Sequence, residues 1–162
     1  MLKNNLLDNI NVRILRALQK NGRLHNNELA EEVGLSNSAC LRRVKLLEDE
    51  EIIRQYVAVL EPAKVGCPLT LYVFGTFEDE DLRKRERFIF EIRLVPNILE
   101  CCLMTGEHDF ILKMVVADLE EFDLIKQRYL NKDTGIRNLK AEIILKTVKN
   151  TTELPLSPVR CG

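Results

Sequence analysis

The stretch Asn26–Tyr56, NNELAEEVGLSNSACLRRVKLLEDEEIIRQY, decides the fold of the first part of this chain. Its apolar spacing predicts two short helices around a turn at Val33–Leu35, followed by a strand over Ile52–Leu60. Gly34 suits the turn because glycine tolerates the positive φ at which a helix ends and the chain reverses. Ser36 can cap the second helix by accepting from a free backbone N–H. The pattern predicts a winged helix-turn-helix, in which the second helix lies in the major groove of DNA.

The second helix of this motif divides into a buried stripe and an exposed polar face. Cys40, Val44 and Leu47 recur at one and two turns and form the stripe, so at about 100° per residue the opposite side faces solvent. Arginine can bond guanine bidentately, and asparagine or serine can reach bases or phosphates. A charged helix face alone is usually only solvated, but the cap, the glycine turn and the preceding helix together favour DNA contact. The candidate DNA-binding residues are Ser36, Asn37, Ser38, Arg42, Arg43 (which flanks the stripe) and Lys45.

Length and composition indicate an ordinary globular protein of one large or two small domains. The chain has 162 residues, of which 46% are hydrophobic, and its formal net charge of −1 counts against coating DNA by charge alone. No apolar run approaches the roughly 20 residues of a membrane span, and the N-terminus lacks the apolar core of a signal peptide. We therefore expect a cytoplasmic protein without a membrane partner.

The cysteines point away from metal chemistry. The chain has 5 cysteines without a CxxC pair, and His25 and His108 are isolated from any cysteine pair. The sequence therefore predicts no metal site and no cofactor. Free, buried thiols in a reducing compartment are the expected state. The adjacent Cys101 and Cys102 fall in a predicted strand and should face opposite sides.

The chain divides at a proline-containing connection. A helix over Leu7–Lys20 precedes the helix-turn-helix, so we expect a DNA-binding domain over residues 1–61. Residues 62–68 are predicted as a linker, since Pro62 and Pro68 punctuate them. Residues 69–162 then form the second domain.

The second domain shows strands and helices in the order βαββαβ. The predicted strands are Leu69–Phe77, Ile98–Met104, Phe110–Val116 and Leu139–Val148, and the predicted helices are Asp81–Leu94 and Leu119–Leu130, the latter capped by Asp118. This order predicts a ferredoxin-like sandwich of one antiparallel sheet backed by two helices, and an α+β class for the chain.

Two faces of this second domain can be assigned from the pattern. The residues of the first helix expected to point inward are Leu82, Phe88, Ile89, Ile92 and Val95. The sheet face without helices should carry Tyr72 and Phe74, which cannot all face water. We therefore expect dimerisation through that face.

Several segments of the chain resemble the leucine-responsive regulatory protein/AsnC family of transcription regulators. The matching segments are LDNINVRILRALQKNGR (7–23), NNELAEEVGLSNSACLRRVKLLE (26–48), CCLMTGEHDFILKMVV (101–116) and KTVKNTTELPL (146–156). The resemblance implies a DNA-binding regulator of amino-acid-related genes. It also implies a C-terminal domain that senses an amino acid or similar small effector and assembles homodimers into octamers on double-stranded DNA.

The resemblance further implies an effector pocket between dimers, near the loop Thr105–Asp109. From the residues alone, this loop can equally be a simple hairpin turn. In a pocket, free N–H groups around Gly106 can take a ligand carboxylate, and Glu107 or Asp109 can take its ammonium. The candidate effector-binding residues are Leu103, Thr105, Gly106, Glu107, His108 and Asp109.

The chain departs from the family pattern after the second helix of the motif, and two other classes of function have to be weighed. Glu51 stands where the family usually has a glycine after the second helix of the motif, so that helix should run on or end without a left-handed cap. A ligand-independent architectural DNA-binding protein of the same fold is the alternative function. An enzyme is not expected, since the sequence shows no Ser-His-Asp set, metal-ligand cluster or Gly-rich phosphate loop.

Overall fold

The computed structural model describes residues 6–78 and 82–157, which form two compact units. The first unit contains the chain up to Ala58 and again from Lys149 onward, and the second unit spans Val59–Val148. This division differs from the predicted one over residues 1–61, 62–68 and 69–162, because the last segment of the chain packs with the first unit. No helix within the described ranges is long and apolar enough to cross a membrane.

The first unit contains helices α1 (Asn9–Lys20), α2 (Asn26–Val33) and α3 (Asn37–Asp49). They pack around a core to which all three contribute: Ile14, Leu15, Ala17, Leu29, Ala30, Val33, Cys40 and Leu47. Gly34 ends α2 at φ 69°, as predicted, and Leu35 packs back against the core. Ser36 caps α3 by accepting a hydrogen bond from the Ala39 N–H at 3.3 Å. The helix-turn-helix is therefore confirmed, with its turn at Gly34 and its cap at Ser36.

The C-terminal segment of the chain lies along α1. The Gln19 amide donates to the carbonyl of Leu154 at 3.2 Å and accepts from its N–H at 2.6 Å. Arg16 donates to the carbonyl of Leu156 at 2.6 Å, and the Leu156 side chain packs on the core of the first unit. These contacts explain why the segment from Lys149 belongs to this unit.

The predicted strand at Ile52–Leu60 is wrong, since Ile52 and Ile53 lie in a bend and Arg54–Leu60 have no regular secondary structure. Val57 and Val59 are 64% and 74% exposed. A strand requires a neighbour for its N–H and C=O groups, and the described part of the first unit contains no other strand. In the middle of this segment, the Tyr56 hydroxyl donates to Glu48 at 3.0 Å, and burial together with that carboxylate raises the pKa of Tyr56 to about 12.

The end of α3 also differs from expectation. The helix ends at Asp49, and Glu51 follows in the left-handed conformation with φ 55°. A left-handed residue therefore follows the helix although no glycine is present. An L side chain in this conformation costs about 1–2 kcal/mol, which the rest of the turn must offset.

The second unit is a four-stranded antiparallel sheet in the order β2-β3-β1-β4. Its elements are β1 (Leu69–Phe77), α4 (Leu82–Ile92), β2 (Ile98–Leu103), β3 (Phe110–Val116), α5 (Leu119–Tyr129) and β4 (Ile136–Ile143). Asp118 caps α5 through the Glu121 N–H at 2.8 Å. The core lies between the helices and one sheet face, and contains Leu71, Val73, Phe88, Ile92, Phe110, Leu112 and Met114. The predicted α+β class and βαββαβ order are confirmed.

Two details of this unit correct the sequence prediction. Strand β4 spans Ile136–Ile143 rather than Leu139–Val148: Ile143 pairs with Leu71 and the Ile144 N–H donates to the carbonyl of Thr70 at 2.9 Å. Since β1 begins at Leu69, residues 146–148 would extend past its end and have no partner on it. Leu82 is 69% exposed rather than inward. It precedes Phe88 by six positions, which places it about 120° away around the helix.

The thiols are free but only partly buried. Cys40 is buried and Cys67 is half-buried, whereas Cys101 and Cys102 are exposed. Their register partners, Leu112 for Cys101 and Ile111 for Cys102, confirm that the adjacent pair faces opposite sides of the sheet. The prediction of buried thiols is therefore wrong for this pair, because β2 is an edge strand. Cys161 lies outside the described residues.

Candidate nucleic-acid interface and effector loop

Five of the six predicted DNA-binding residues lie on one exposed face of α3 and its cap. These exposed residues are Ser36, Asn37, Ser38, Arg42 and Lys45. The opposite side of the helix packs on the core through Cys40 and Leu47, both fully buried. The face therefore presents two cations, two hydroxyls and an amide, the groups that bond base edges and phosphates.

Arg43 is the exception among the six. Its guanidinium points toward α1, where Nη1 donates to Asp8 Oδ2 at 2.7 Å and to Asn11 Oδ1 at 2.8 Å. Burial alone would raise the pKa of Asp8, but hydrogen bonds from the Asn11 backbone and Arg43 outweigh it and lower that pKa below its usual value. Arg43 therefore bonds to groups of its own chain and does not present its charge on the exposed face of α3.

Two residues that the sequence analysis did not single out complete this surface. The Asn26 amide donates to the carbonyl of Asn37 at 2.9 Å, so the first residue of α2 is tied to the first residue of α3. Leu41 is 59% exposed on α3. It follows buried Cys40 by one position, or about 100°, so helical periodicity could have shown that it leaves the stripe. An exposed apolar group there can contact a thymine methyl.

The loop Met104–Asp109 connects β2 to β3 as a closed hairpin. The Met104 N–H donates to the carbonyl of Asp109 at 2.8 Å. Thr105, Gly106 and Glu107 are exposed, and Gly106 has φ 125°, a backbone conformation that an L side chain rarely adopts. The tip of the loop thus presents backbone groups and one carboxylate to the surroundings.

Asp109 and His108, at the end of the loop, are held by the sheet beneath them. Asp109 Oδ2 accepts from the Phe77 N–H at 2.8 Å, and the Asp109 N–H donates to the carbonyl of Gly75 at 2.9 Å. The His108 ring lies 5.3 Å from the ring of Phe74. Asp109 and His108 are predicted to bind a ligand, whereas in the structure each of them has a partner within the chain.

A groove of about 450 Å³ lies between α4 and the edge strand β2. Its lining residues are Ile89, Ile92, Arg93, Ile98, Leu99, Glu100, Cys101 and Leu103. Leu103 belongs to the predicted effector set, whereas the residues of Thr105–Asp109 do not line the groove. Of the six predicted effector residues, which lie at the end of β2 and in the loop that follows, only Leu103 lines this groove.

Comparison with known proteins accounts for both units. Residues 7–54 match the family model of winged helix-turn-helix DNA-binding domains, and residues 72–154 match the model of the Lrp/AsnC ligand binding domain. The chain is 35% identical to the leucine-responsive regulatory protein of Haemophilus influenzae over 154 residues, covering 95% of this chain and 93% of that protein. It is 32% identical to the DNA-binding transcriptional activator DecR of Escherichia coli K12, covering 93% and 99%.

Solved structures agree with these relatives. The fold is similar to that of a transcriptional regulator from Neisseria meningitidis in complex with L-Met, with a TM-score of 0.87 and 39% identity, covering 92% of this chain and 96% of that one. An AsnC family transcriptional regulator from Agrobacterium tumefaciens gives a TM-score of 0.85 at 32% identity, covering 91% and 96%. Matches of this extent in both units identify the chain as a member of the Lrp/AsnC family of DNA-binding transcription regulators.

Proposed function

We propose that this regulator binds specific DNA sequences as a homodimer or larger assembly, through α3, and that an amino acid modulates it through the second unit. Helix α3 lies in the major groove and reads bases with Arg42, Asn37 and the two serines of its first turn, while Lys45 bonds phosphate. The observation that supports this most directly is the exposed polar face of α3, opposite a fully buried stripe.

Alanine substitution tests the DNA surface. Arg42→Ala should weaken binding to the preferred sequence by about 1–3 kcal/mol, the value of a lost bidentate base contact. Lys45→Ala should weaken binding to all sequences and reduce the salt slope by about one. Lys126→Ala on α5 is the control, because this exposed lysine lies in the other unit and pairs with Asp123 at 3.7 Å. Gel shifts at several salt concentrations measure all three, and wild-type binding by both α3 variants would contradict the proposal.

The proposed effector is an amino acid bound at the tip of the loop Met104–Asp109. The Neisseria relative binds L-Met, and the exposed N–H groups around Gly106 suit a carboxylate while Glu107 suits an ammonium. Leu103, 48% exposed beside the loop, can contact an apolar side chain. Isothermal titration with L-methionine and L-leucine tests this, with Glu107→Gln expected to weaken binding. Equal binding by the parent and Glu107→Gln would place the ammonium elsewhere.

Assembly is proposed through the sheet face opposite the helices. Tyr72 and Phe74 lie on this face, and their register partners include Ile111, Lys113, Lys140 and Glu142. An apolar centre with charges of both signs can pair with a second copy of itself across a two-fold axis. A dimer or a higher assembly, such as the octamer implied by the resemblance, is expected in light scattering at micromolar protein. A monomeric mass would contradict it.

A ligand-independent architectural role is the second candidate function. It is favoured by one observation: Asp109 and His108 already have partners within the chain. Thermal unfolding with a panel of amino acids separates the two candidates, since a ligand that binds only the folded state raises its stability. A shift with one amino acid supports the sensor, and no shift with any supports the architectural role.

A further inference from the structure

We propose that Arg43 is a positioning residue of the DNA-binding surface: with Asp8 and Asn11 it forms a polar clamp that fixes the orientation of α3 on α1, and it does not contact DNA itself. This inference rests on the proposed role of α3 as the recognition helix. It separates Arg43 from Arg42, its neighbour in the chain, although sequence reasoning placed the two in one DNA-binding set.

The three side chains of the clamp are interlocked. Asp8 uses Oδ1 to accept from the Asn11 N–H at 2.7 Å, which begins α1, and Oδ2 to accept from Arg43 at 2.7 Å. Asn11 uses Oδ1 to accept from Arg43 at 2.8 Å and Nδ2 to donate to the carbonyl of Leu6 at 2.9 Å. Asn11 is only 2% exposed, so water cannot replace these partners without opening the structure.

The residue types fit the bonds of this clamp. An aspartate in place of Asn11 could not donate to Leu6, and an apolar residue in place of Arg43 would leave a buried oxygen of Asn11 without a donor. An unpaired buried polar group costs the full desolvation of that group. The pair of Arg43 and Asp8 is partly shielded, with side chains 29% and 33% exposed. It is therefore less screened than a bridge on the open surface.

The clamp provides directional contacts, which the apolar core does not. Burial of Cys40 and Leu47 holds α3 against the core and sets which side of the helix faces solvent, but the hydrophobic effect is non-directional and fixes the angle about the helix axis less closely than a hydrogen bond does. Charge-assisted hydrogen bonds have preferred angles and lengths. Because Arg43 is adjacent to Arg42 and two positions from Lys45, a rotation of α3 at the clamp moves both side chains. Binding groups must stay within about 0.5 Å and 10–20° of their productive geometry.

The test compares two ways of opening the clamp with a matched control. Asp8→Asn removes the carboxylate but keeps a side chain that caps helices well. Arg43→Met removes the guanidinium and keeps an unbranched stem, and the double variant removes both. Arg42→Met is the control, since it makes the same chemical change one residue earlier on the exposed face. The probes are a duplex enriched by the parent protein from a random-sequence pool and a scrambled duplex of the same length, each at several salt concentrations.

The clamp predicts graded and non-additive effects. Arg43→Met breaks the bonds to both Asp8 and Asn11 and should weaken binding to the enriched duplex about tenfold, which corresponds to about 1.4 kcal/mol. Asp8→Asn keeps the bond between Arg43 and Asn11 and should weaken binding less, and the double variant should be no weaker than Arg43→Met. The salt slope should stay unchanged for both. A phosphate contact by Arg43 would give the opposite result: Arg43→Met would reduce the slope by about one, and Asp8→Asn would tighten binding by releasing the guanidinium. That result overturns the proposal.

A second measurement needs no DNA. Amide hydrogen exchange in the free protein should be faster in α3 for Asp8→Asn and Arg43→Met than for the parent, and unchanged for Arg42→Met. Unchanged exchange in all three variants overturns the clamp. If Arg42→Met binds both duplexes like the parent, the recognition surface proposed for α3 is contradicted, and the exchange rates alone decide whether the clamp exists.

Discussion

Helix α3 and the loop Met104–Asp109 are both polar and both rich in candidate ligand groups, yet their side chains are fixed in different ways. On α3, exposure follows helical spacing, so Arg42 and Lys45 lie on the face opposite buried Cys40. In the loop, the exposure of a side chain depends on its bonds to another strand. The Phe77 N–H donates to the Asp109 carboxylate, although the two residues are 32 positions apart in the chain. A polar residue on a helix can therefore be assigned by its position, whereas one in a loop requires knowledge of its neighbours.

Two glycines show the same difference. A Cβ added to Gly34, in the turn before α3, would meet no atom within 4 Å, so that glycine is required by its φ of 69° alone. A Cβ added to Gly75, in β1 below the loop, would lie 2.1 Å from Phe110 Cζ. The first requirement is local and visible as a turn signal, while the second depends on an aromatic ring from β3.

The largest expected effect is for a substitution of Gly75, which must lack a side chain because the Phe110 ring packs against it. Gly75→Ala should destabilise the second unit by about 3 kcal/mol, because inserting a carbon into a filled core typically costs about 1–3 kcal/mol and occasionally more. Urea unfolding followed by circular dichroism measures it. The double variant Gly75→Ala with Phe110→Leu should recover part of the loss, since the smaller side chain relieves the overlap. An unchanged midpoint for Gly75→Ala would mean that β1 does not pack against Phe110 in this way.

Asp109 separates structure from ligand binding in the loop. Asp109→Ala should cost about 2 kcal/mol of stability, because the partly buried Phe77 N–H loses its acceptor. Asp109→Asn keeps an acceptor oxygen and should cost less. Calorimetric titration of Asp109→Asn with L-methionine then reports the charge alone. If Asp109→Ala unfolds at the same urea concentration as the parent, the bond to Phe77 is not a stabilising contact.

Gly34→Ala tests the local requirement in the helix-turn-helix. The expected cost is about 1–2 kcal/mol for placing an L side chain in the left-handed region. Gly34→Asn should cost less, because asparagine visits that region more readily. Thermal unfolding and binding to the enriched duplex should fall together in Gly34→Ala. Full stability in Gly34→Ala would show that the turn can adopt another backbone path.

The smallest expected effect is a gain in stability at the end of α3. Glu51→Gly should stabilise the first unit by about 0.5–1 kcal/mol, since relief of left-handed strain exceeds the extra entropy of glycine in the unfolded chain. Glu50→Gly is the control, because Glu50 has φ −88° and gains no relief. It should lower stability. A loss of stability in Glu51→Gly as well would mean that the Glu51 side chain contributes more than its backbone costs.

Much of the candidate DNA surface could be predicted without coordinates. The cap at Ser36, the left-handed Gly34 and the stripe of α3 depend on residues within about one helical turn of each other. The position of Arg43 could not be predicted to the same degree. Spacing places it beside the stripe, but only the approach of α1 supplies Asp8 and Asn11 as its partners.

The amino-acid sequence by itself determined the class of the fold, the order of its helices and strands, and which side of α3 meets solvent, because periodicity and capping act over a few residues. The tertiary structure decided that Ile52–Leu60 does not pair as a strand, that β4 ends at Ile143, and that Asp109 and Arg43 have internal partners. Each of those outcomes depends on groups more than 30 residues apart in the chain or on whether a neighbouring strand is present. Local sequence cannot encode them, because backbone pairing and side-chain bonds form only once the packed units bring those groups within hydrogen-bond distance.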